Sequence, residues 1–205
     1  MKPMLILASQ SPRRKELLSQ LGYQFETISA DIDESILSNE SPHDYVIRLA
    51  IEKAKVVAEN QTADCVVLGS DTSVIYDNQI LGKPANMEEC CQHLLMLSNN
   101  THQVLTAIAA IRNQQIYSAI ISTDVTFKSL STEEIKRYWQ TDEPQDKAGS
   151  YGIQGIGGQF VKQINGSYSA VVGLPLYETA QLLAKLDLPT PIQSQTQSLN
   201  DGDIL

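Results

Sequence analysis

Cysteine and histidine are scarce in this 205-residue chain, three of each. Cys65, Cys90 and Cys91 have no metal-ligand spacing, and two of them are neighbours on one expected helix. That excludes a cysteine-built zinc site and points to reduced, half-buried thiols. His43, His93 and His102 are scattered with no paired motif, so no histidine-centred triad is expected. Basic charge is short as well: 15 Lys and Arg stand against 24 Asp and Glu, a net charge of −9. A chain of that sign lacks the many cation–phosphate contacts that general nucleic-acid binding requires. Phosphate recognition, if present, must be local and concave. No apolar run approaches the roughly eighteen residues of a membrane span. Met1–Ala8 is also too short and too weakly basic for a secretory signal. The expectation is a cytoplasmic protein with neither nucleic-acid nor membrane partners.

What is present suffices for one substantial core or two lobes sharing a sheet, with 42% hydrophobic and 19% charged residues. Leu5–Ala8 reads as an apolar strand running into Ser9 and Ser11. Pro12 fits the first position of a helix, which makes Ser11 the N-cap and places Arg13 and Arg14 in the opening turn. Free backbone N–H groups, the positive end of the helix dipole and two guanidiniums then converge, which suits a polyphosphate. An ordinary capped helix with two solvated arginines fits the segment equally well.

Ser41-Pro42 repeats the cap signal for a helix to about Glu59, after a short strand at Phe25–Ile28 and the acidic stretch Asp31-Ile32-Asp33-Glu34. Cys65–Leu68 reads as a buried strand ending at Gly69, which would deliver Ser70, Asp71 and Thr72 to a sheet edge. Asp77-Asn78 marks a hairpin, Asn86 with Glu89 opens a helix through Leu97, and two long strands meet around Arg112-Asn113-Gln114. Ser131 with Glu134 caps a further helix. The segment from Gly149 to Gly158 holds five glycines in ten residues and reads as a shaped loop. Phe160–Ile164 and Ala170–Val172 are read as strands around Asn165-Gly166, and Leu174–Leu186 as a closing helix. The chain from Pro189 is rich in Pro, Gln, Ser and Thr, and residues 189–205 are expected to be a disordered tail. The fold class is therefore α/β, with a central mixed sheet flanked by helices in a single two-lobed domain over residues 1–188.

Several residues resist a purely structural account. Lys53 falls on the apolar stripe Val46, Leu49, Ala50, Ala54, Val57, where a lysine either snorkels or meets a buried anion. Arg48, Glu52 and Lys55 lie off that stripe and read as a solvated face. Asp71 follows a buried strand, where open sheets present catalytic groups, although a turn-capping acid would sit there too. Lys83 lies on the stiffened Gly82-Lys83-Pro84 turn. The glycines of 149–158 would let amides approach a flat ligand, with Gln154 offering a donor and an acceptor to a base edge; a plain glycine-rich hairpin loop is the alternative.

Taken together, Ala8-Ser9-Gln10-Ser11-Pro12-Arg13-Arg14, Glu34, Arg48-Leu49-Ala50 with Lys53-Ala54, Gly69-Ser70-Asp71-Thr72, Gly82-Lys83-Pro84 and the run Asp146–Gly155 resemble the Maf family of nucleoside triphosphate pyrophosphatases. The resemblance spans roughly residues 4–186 in matching order. It implies an elongated fold shared with inosine-triphosphate pyrophosphatases (the Maf/Ham1 type), a nucleotide cleft between two lobes, and hydrolysis to the monophosphate and pyrophosphate with a divalent cation, Mg²⁺ or Mn²⁺. Asp71 matches the family's proton acceptor. Arg13, Thr72 and Gln154 match the positions that mark the branch acting on dTTP and UTP. Ser70 departs from the alanine frequent at its position. Ser9, Arg13, Arg14, Lys53 and Lys83 are expected to bind phosphate, and Glu34 with Asp71 to face the metal. The other readings are the same chemistry on a purine or methylated guanine triphosphate, and a nucleotide-binding cell-division regulator without turnover. A homodimer is the expected assembly.

Overall fold

A computed structural model describes residues 3–61 and 64–194. In chain order the elements are β1 (Met4–Leu7), α1 (Pro12–Gln20), β2 (Phe25–Thr27), α2 (Pro42–Ala58), β3 (Cys65–Tyr76), β4 (Gln79–Leu81), α3 (Met87–Leu97), β5 (Thr101–Arg112), β6 (Gln115–Phe127), α4 (Thr132–Trp139), β7 (Val161–Asn165), α5 (Tyr168–Val172) and α6 (Leu176–Ala184). Short 3₁₀ turns at Glu143–Asp146, Ala148–Ser150 and Ile156–Phe160 fill the stretch between α4 and β7. Local chemistry sets the helix starts. Ser11, Ser41, Asn86 and Ser131 each accept a hydrogen bond from the backbone N–H three residues on, and Ser131 with Glu134 completes a reciprocal capping box. Asp77 and Asn78 take positive φ values of 48° and 61°, the geometry a two-residue hairpin requires.

The strands form one mixed sheet in the order β2-β1-β3-β5-β6-β7, with β4 pairing the far end of β3. β1 runs parallel to β2 and β3, and every other pairing is antiparallel. β3 organises the molecule. Along one edge it pairs with β1 through residues 65–68 and with β4 through residues 74–76, which leaves residues 69–73 without a strand partner there among the described residues. That gap opens a cleft in the sheet edge.

Alternation along β3 divides its side chains between two faces. Cys65, Val67 and Ile75 join α2 and the odd-numbered residues of β5 in one core. Val66 and Leu68 face a second core with α1, α5 and α6, whereas Val74 belongs to a third with α3 and α4. Between the second and third cores, on the same face, lies the polar row of Ser70, Thr72 and its cross-strand partner Thr106. The two cores sharing a sheet are thus separated by hydroxyls at the cleft.

Four expectations change. Gly69 does not end its strand: β3 runs on for twelve residues. A Cβ at Gly69 would collide with the Ala50 carbonyl oxygen and come within 2.8 Å of Ala54 N, so this glycine lets α2 press onto the sheet. Ala170–Val172 is helical because Ser167 Oγ caps α5 by accepting from Ala170 N at 3.2 Å. Arg48 is no solvated residue: its guanidinium donates to Glu40 at 2.6 and 2.9 Å, to Glu52 at 3.1 Å and to the Ser35 carbonyl at 3.0 Å. The described chain also continues past Pro189, where buried Thr190 accepts from Gln193 N at 3.3 Å. The remainder of the expected tail, residues 195–205, lies outside the described residues.

Candidate active site

The cleft has a volume of about 1020 Å³ and is lined by Ser9, Arg13, Arg14, Glu34, Lys53, Asp71, Thr72, Lys83 and Gln154. These nine residues, all expected at the site from the sequence, line one space. Asp71 and Thr72 are consecutive on β3 and point to opposite sides of it, so one strand supplies two sub-sites.

On the Asp71 side the partner is α2. Lys53 lies on the buried stripe of that helix, 8% exposed, and its Nζ donates to Asp71 Oδ1 at 2.8 Å. The same ammonium lies 2.7 Å from Glu34 Oε1. The anomalous lysine of the helix stripe thus meets an acid on a strand and an acid on a loop. Burial by itself would raise the Glu34 pKa, but the Lys53 hydrogen bond and the charges of Lys53, Lys83 and Arg14 hold it below the ordinary value. The loop bearing Glu34 is fastened to α2 by Arg48 through Ser35 and Glu40, and by Tyr45, whose hydroxyl donates to the Glu34 carbonyl at 3.0 Å.

On the Thr72 side the partner is α1. Arg14 Nε donates to the Gly173 carbonyl at 2.9 Å, and its other nitrogens donate to Ser9 Oγ at 3.4 Å and Thr72 Oγ1 at 3.3 Å. Burial lowers the pKa of this guanidinium, the nearby Asp71 carboxylate opposes the shift, and the charge of Arg13 adds to it. Gly173 takes φ 131°, and its carbonyl also accepts from Ser70 Oγ at 3.0 Å. Arg13 stands nearer solvent, 4.0 Å from Asp146 across the cleft mouth. Asp146 also contacts Lys147.

The far wall is the glycine-rich loop carrying Gln154. Gly149 N donates to the Gly82 carbonyl at 3.0 Å, which ties this loop to the turn bearing Lys83. The loop amides are less free than the sequence suggested: Ile156 N and Gly157 N donate to the Glu143 carboxylate at 2.7 and 2.9 Å. Glu143, Tyr138 and Gly173 were missed from the sequence, and Arg48 was read there as solvated. For Glu143 a signal existed, since a loop so rich in amides needs an acceptor and Glu143-Pro144 lies just upstream.

Among the described residues no group of three or more His, Cys, Asp or Glu side chains could hold a metal ion by itself. Also among them, no helix is long and apolar enough to cross a membrane.

The family model described as Maf-like protein matches residues 4–186. A dTTP/UTP pyrophosphatase of Colwellia psychrerythraea is 61% identical over 184 residues, covering 88% of this chain and 87% of that protein. The dTTP/UTP pyrophosphatase of Escherichia coli K12 is 52% identical over 183 residues, with 89% and 93% covered. Among solved structures, a nucleoside-triphosphatase / dITP/XTP pyrophosphatase from Mycobacterium abscessus superposes with a TM-score of 0.43 at 13% identity, covering 62% of this chain and 75% of the other. A family match running from β1 through the end of α6, over the segments that build the cleft, places this chain in the Maf family.

Proposed function

We propose that this protein hydrolyses dTTP and UTP to the nucleoside monophosphate and pyrophosphate. The observation that carries the reading is the buried Lys53, paired with both Asp71 and Glu34 in a cleft ringed by Arg13, Arg14 and Lys83. A cleft of that charge suits a triphosphate, and relatives more than half identical over most of the chain bear the name dTTP/UTP pyrophosphatase.

The residues divide among the tasks of attack at the α-phosphorus. Asp71 accepts the proton of the attacking water. Its Oδ1 is held by Lys53, while among the described residues Oδ2 has only the Ser73 hydroxyl at 3.4 Å and keeps room for water. Two of the three N–H groups of Lys53 are taken by carboxylates, so its first role is to aim Asp71, with one donor left for phosphate. Arg13 and Lys83 neutralise the triphosphate and the departing pyrophosphate. Arg14 has donors left after its three hydrogen bonds and anchors the Ser9 turn against Thr72.

The donor set also fits a hard divalent cation. Asp71 Oδ1 and Glu34 Oε1 are both taken by the Lys53 ammonium, which leaves the second oxygen of each carboxylate for the ion, and Mg²⁺ sites commonly use one or two carboxylates and take their remaining ligands from substrate phosphates and water. Glu34 and Asp71 would hold that ion, which would supply charge neutralisation at the phosphates. Gln154 and neighbouring amides would pair with the O4 and N3–H edge of uracil or thymine; adenine reverses that acceptor–donor order, and guanine, which shares it at O6 and N1–H, differs by its 2-amino group and its larger ring.

The test is pyrophosphate release from a panel of canonical nucleoside triphosphates, with and without Mg²⁺ or Mn²⁺, and with Asp71→Asn as the control. Metal-dependent release from dTTP and UTP, lost in the variant, is expected. Release from purine triphosphates alone would overturn the substrate assignment, and full activity of folded Asp71→Asn would overturn the role of Asp71.

A further inference from the structure

We infer that Glu143 and Tyr138 are the positioning residues for base selection, holding the loop that carries Gln154 in its working shape. This rests on the reading of Gln154 as the base contact. Three amides flank Gln154 in the loop. Gly152 N donates to the Tyr138 hydroxyl at 3.2 Å, Ile156 N to Glu143 Oε2 at 2.7 Å and Gly157 N to Glu143 Oε1 at 2.9 Å. The two acceptors are themselves joined, because the Tyr138 hydroxyl donates to Glu143 Oε1 at 2.8 Å. One hydroxyl and one carboxylate thus pin the loop on both sides of residue 154.

The glycines are spaced for this pair. A Cβ at Gly155 would overlap the Glu143 carboxylate, one at Gly152 would lie 3.2 Å from Glu143 Oε1, and one at Gly157 would lie 2.6 Å from the Tyr138 hydroxyl. Both oxygens of Glu143 are engaged by these donors, so it acts through the loop although it lines the cleft. Tyr138 is rooted in the core with its ring edge-to-face on Phe160 at 5.0 Å. Lys53, Asp71 and Arg14 lie on β3 and the helices packed against it, apart from this loop, whereas Lys83 lies on the turn that Gly149 N ties to the start of the glycine-rich segment.

Two variants test this. Glu143→Gln places an amide NH₂ against one of the donors, and Tyr138→Phe removes one hydroxyl while keeping the ring. Pyrophosphate release from UTP and GTP is measured for both beside wild type, with thermal melts as the folding control. The expected result is a raised KM for UTP and a UTP-to-GTP ratio of kcat/KM about tenfold lower. The kcat at saturating UTP should stay within about threefold of wild type. An unchanged ratio in folded Tyr138→Phe and Glu143→Gln overturns the inference, as does a fall in kcat with the ratio preserved. Wild type that does not distinguish UTP from GTP would instead overturn the pyrimidine assignment on which the inference rests.

Discussion

Lys53 on helix α2 and Asp71 on strand β3, 18 residues apart in sequence, form a buried ion pair of 2.8 Å whose ammonium also meets Glu34. Removing Lys53 leaves a buried carboxylate without its partner. Lys53→Met is expected to lower kcat/KM on the order of 100-fold or more and to cost about 3 kcal/mol of stability. Adding Asp71→Asn should recover much of the stability and none of the activity, read by urea melts and pyrophosphate release. Equal stability of Lys53→Met and wild type would show the pair to be solvated.

Arg14 makes its three hydrogen bonds in three directions, to Gly173, Ser9 and Thr72, which a point charge cannot reproduce. Arg14→Lys therefore keeps the charge and loses the fork. We expect kcat/KM to drop about tenfold to a hundredfold, and wild-type kinetics in that variant would mean that charge alone is required.

Gly69 has no room for a side chain, whereas a Cβ at Gly82 would meet nothing within 4 Å among the described residues. Gly69→Ala must push α2 off the sheet, costing about 2–3 kcal/mol and displacing Lys53 from Asp71, with turnover falling accordingly. Gly82→Ala should leave the melting temperature unchanged. Similar melts for the two variants would contradict the close approach of α2.

His102 is 2% exposed, with Nε2 at 2.9 Å from the Tyr151 hydroxyl and Nδ1 without a partner among the described residues. Burial pushes its pKa down from 6.5 to about 4. The unfolded chain therefore binds a proton between pH 6.5 and 4 that the folded chain refuses. Stability from this group is full above pH 6.5 and falls as the pH drops toward 4, by as much as about 3 kcal/mol. Urea midpoints across that window should decline less steeply in His102→Gln, and an identical slope would assign the loss to other groups.

The caps at Ser11, Ser41, Asn86 and Ser131 and the Asp77-Asn78 hairpin were legible because each is decided by a hydrogen bond or a φ angle within a few residues. The odd placement of Lys53 on an apolar stripe was legible for the same reason: helical periodicity is local. Gly69, by contrast, carries no mark that separates a strand end from a close approach, because the obstacle is the Ala50 carbonyl of another element. Ala170–Val172 has the β-branched content of a strand, and Ser167 with the packing of α5 against β5 made it a helix.

By itself, then, the sequence determined most of the elements, the caps of α1 to α4 and the residue types a triphosphate site requires, since these follow from short-range hydrogen bonding and periodicity. Tertiary structure alone decided that β1 stops and β4 begins so as to leave residues 69–73 open, that Asp71 and Thr72 face different partners, and that Arg48 and Glu143 are structural anchors rather than solvated charges. The physical reason is range: a buried charge or a crowded glycine is defined by what lies across from it, and those partners come from distant parts of the chain.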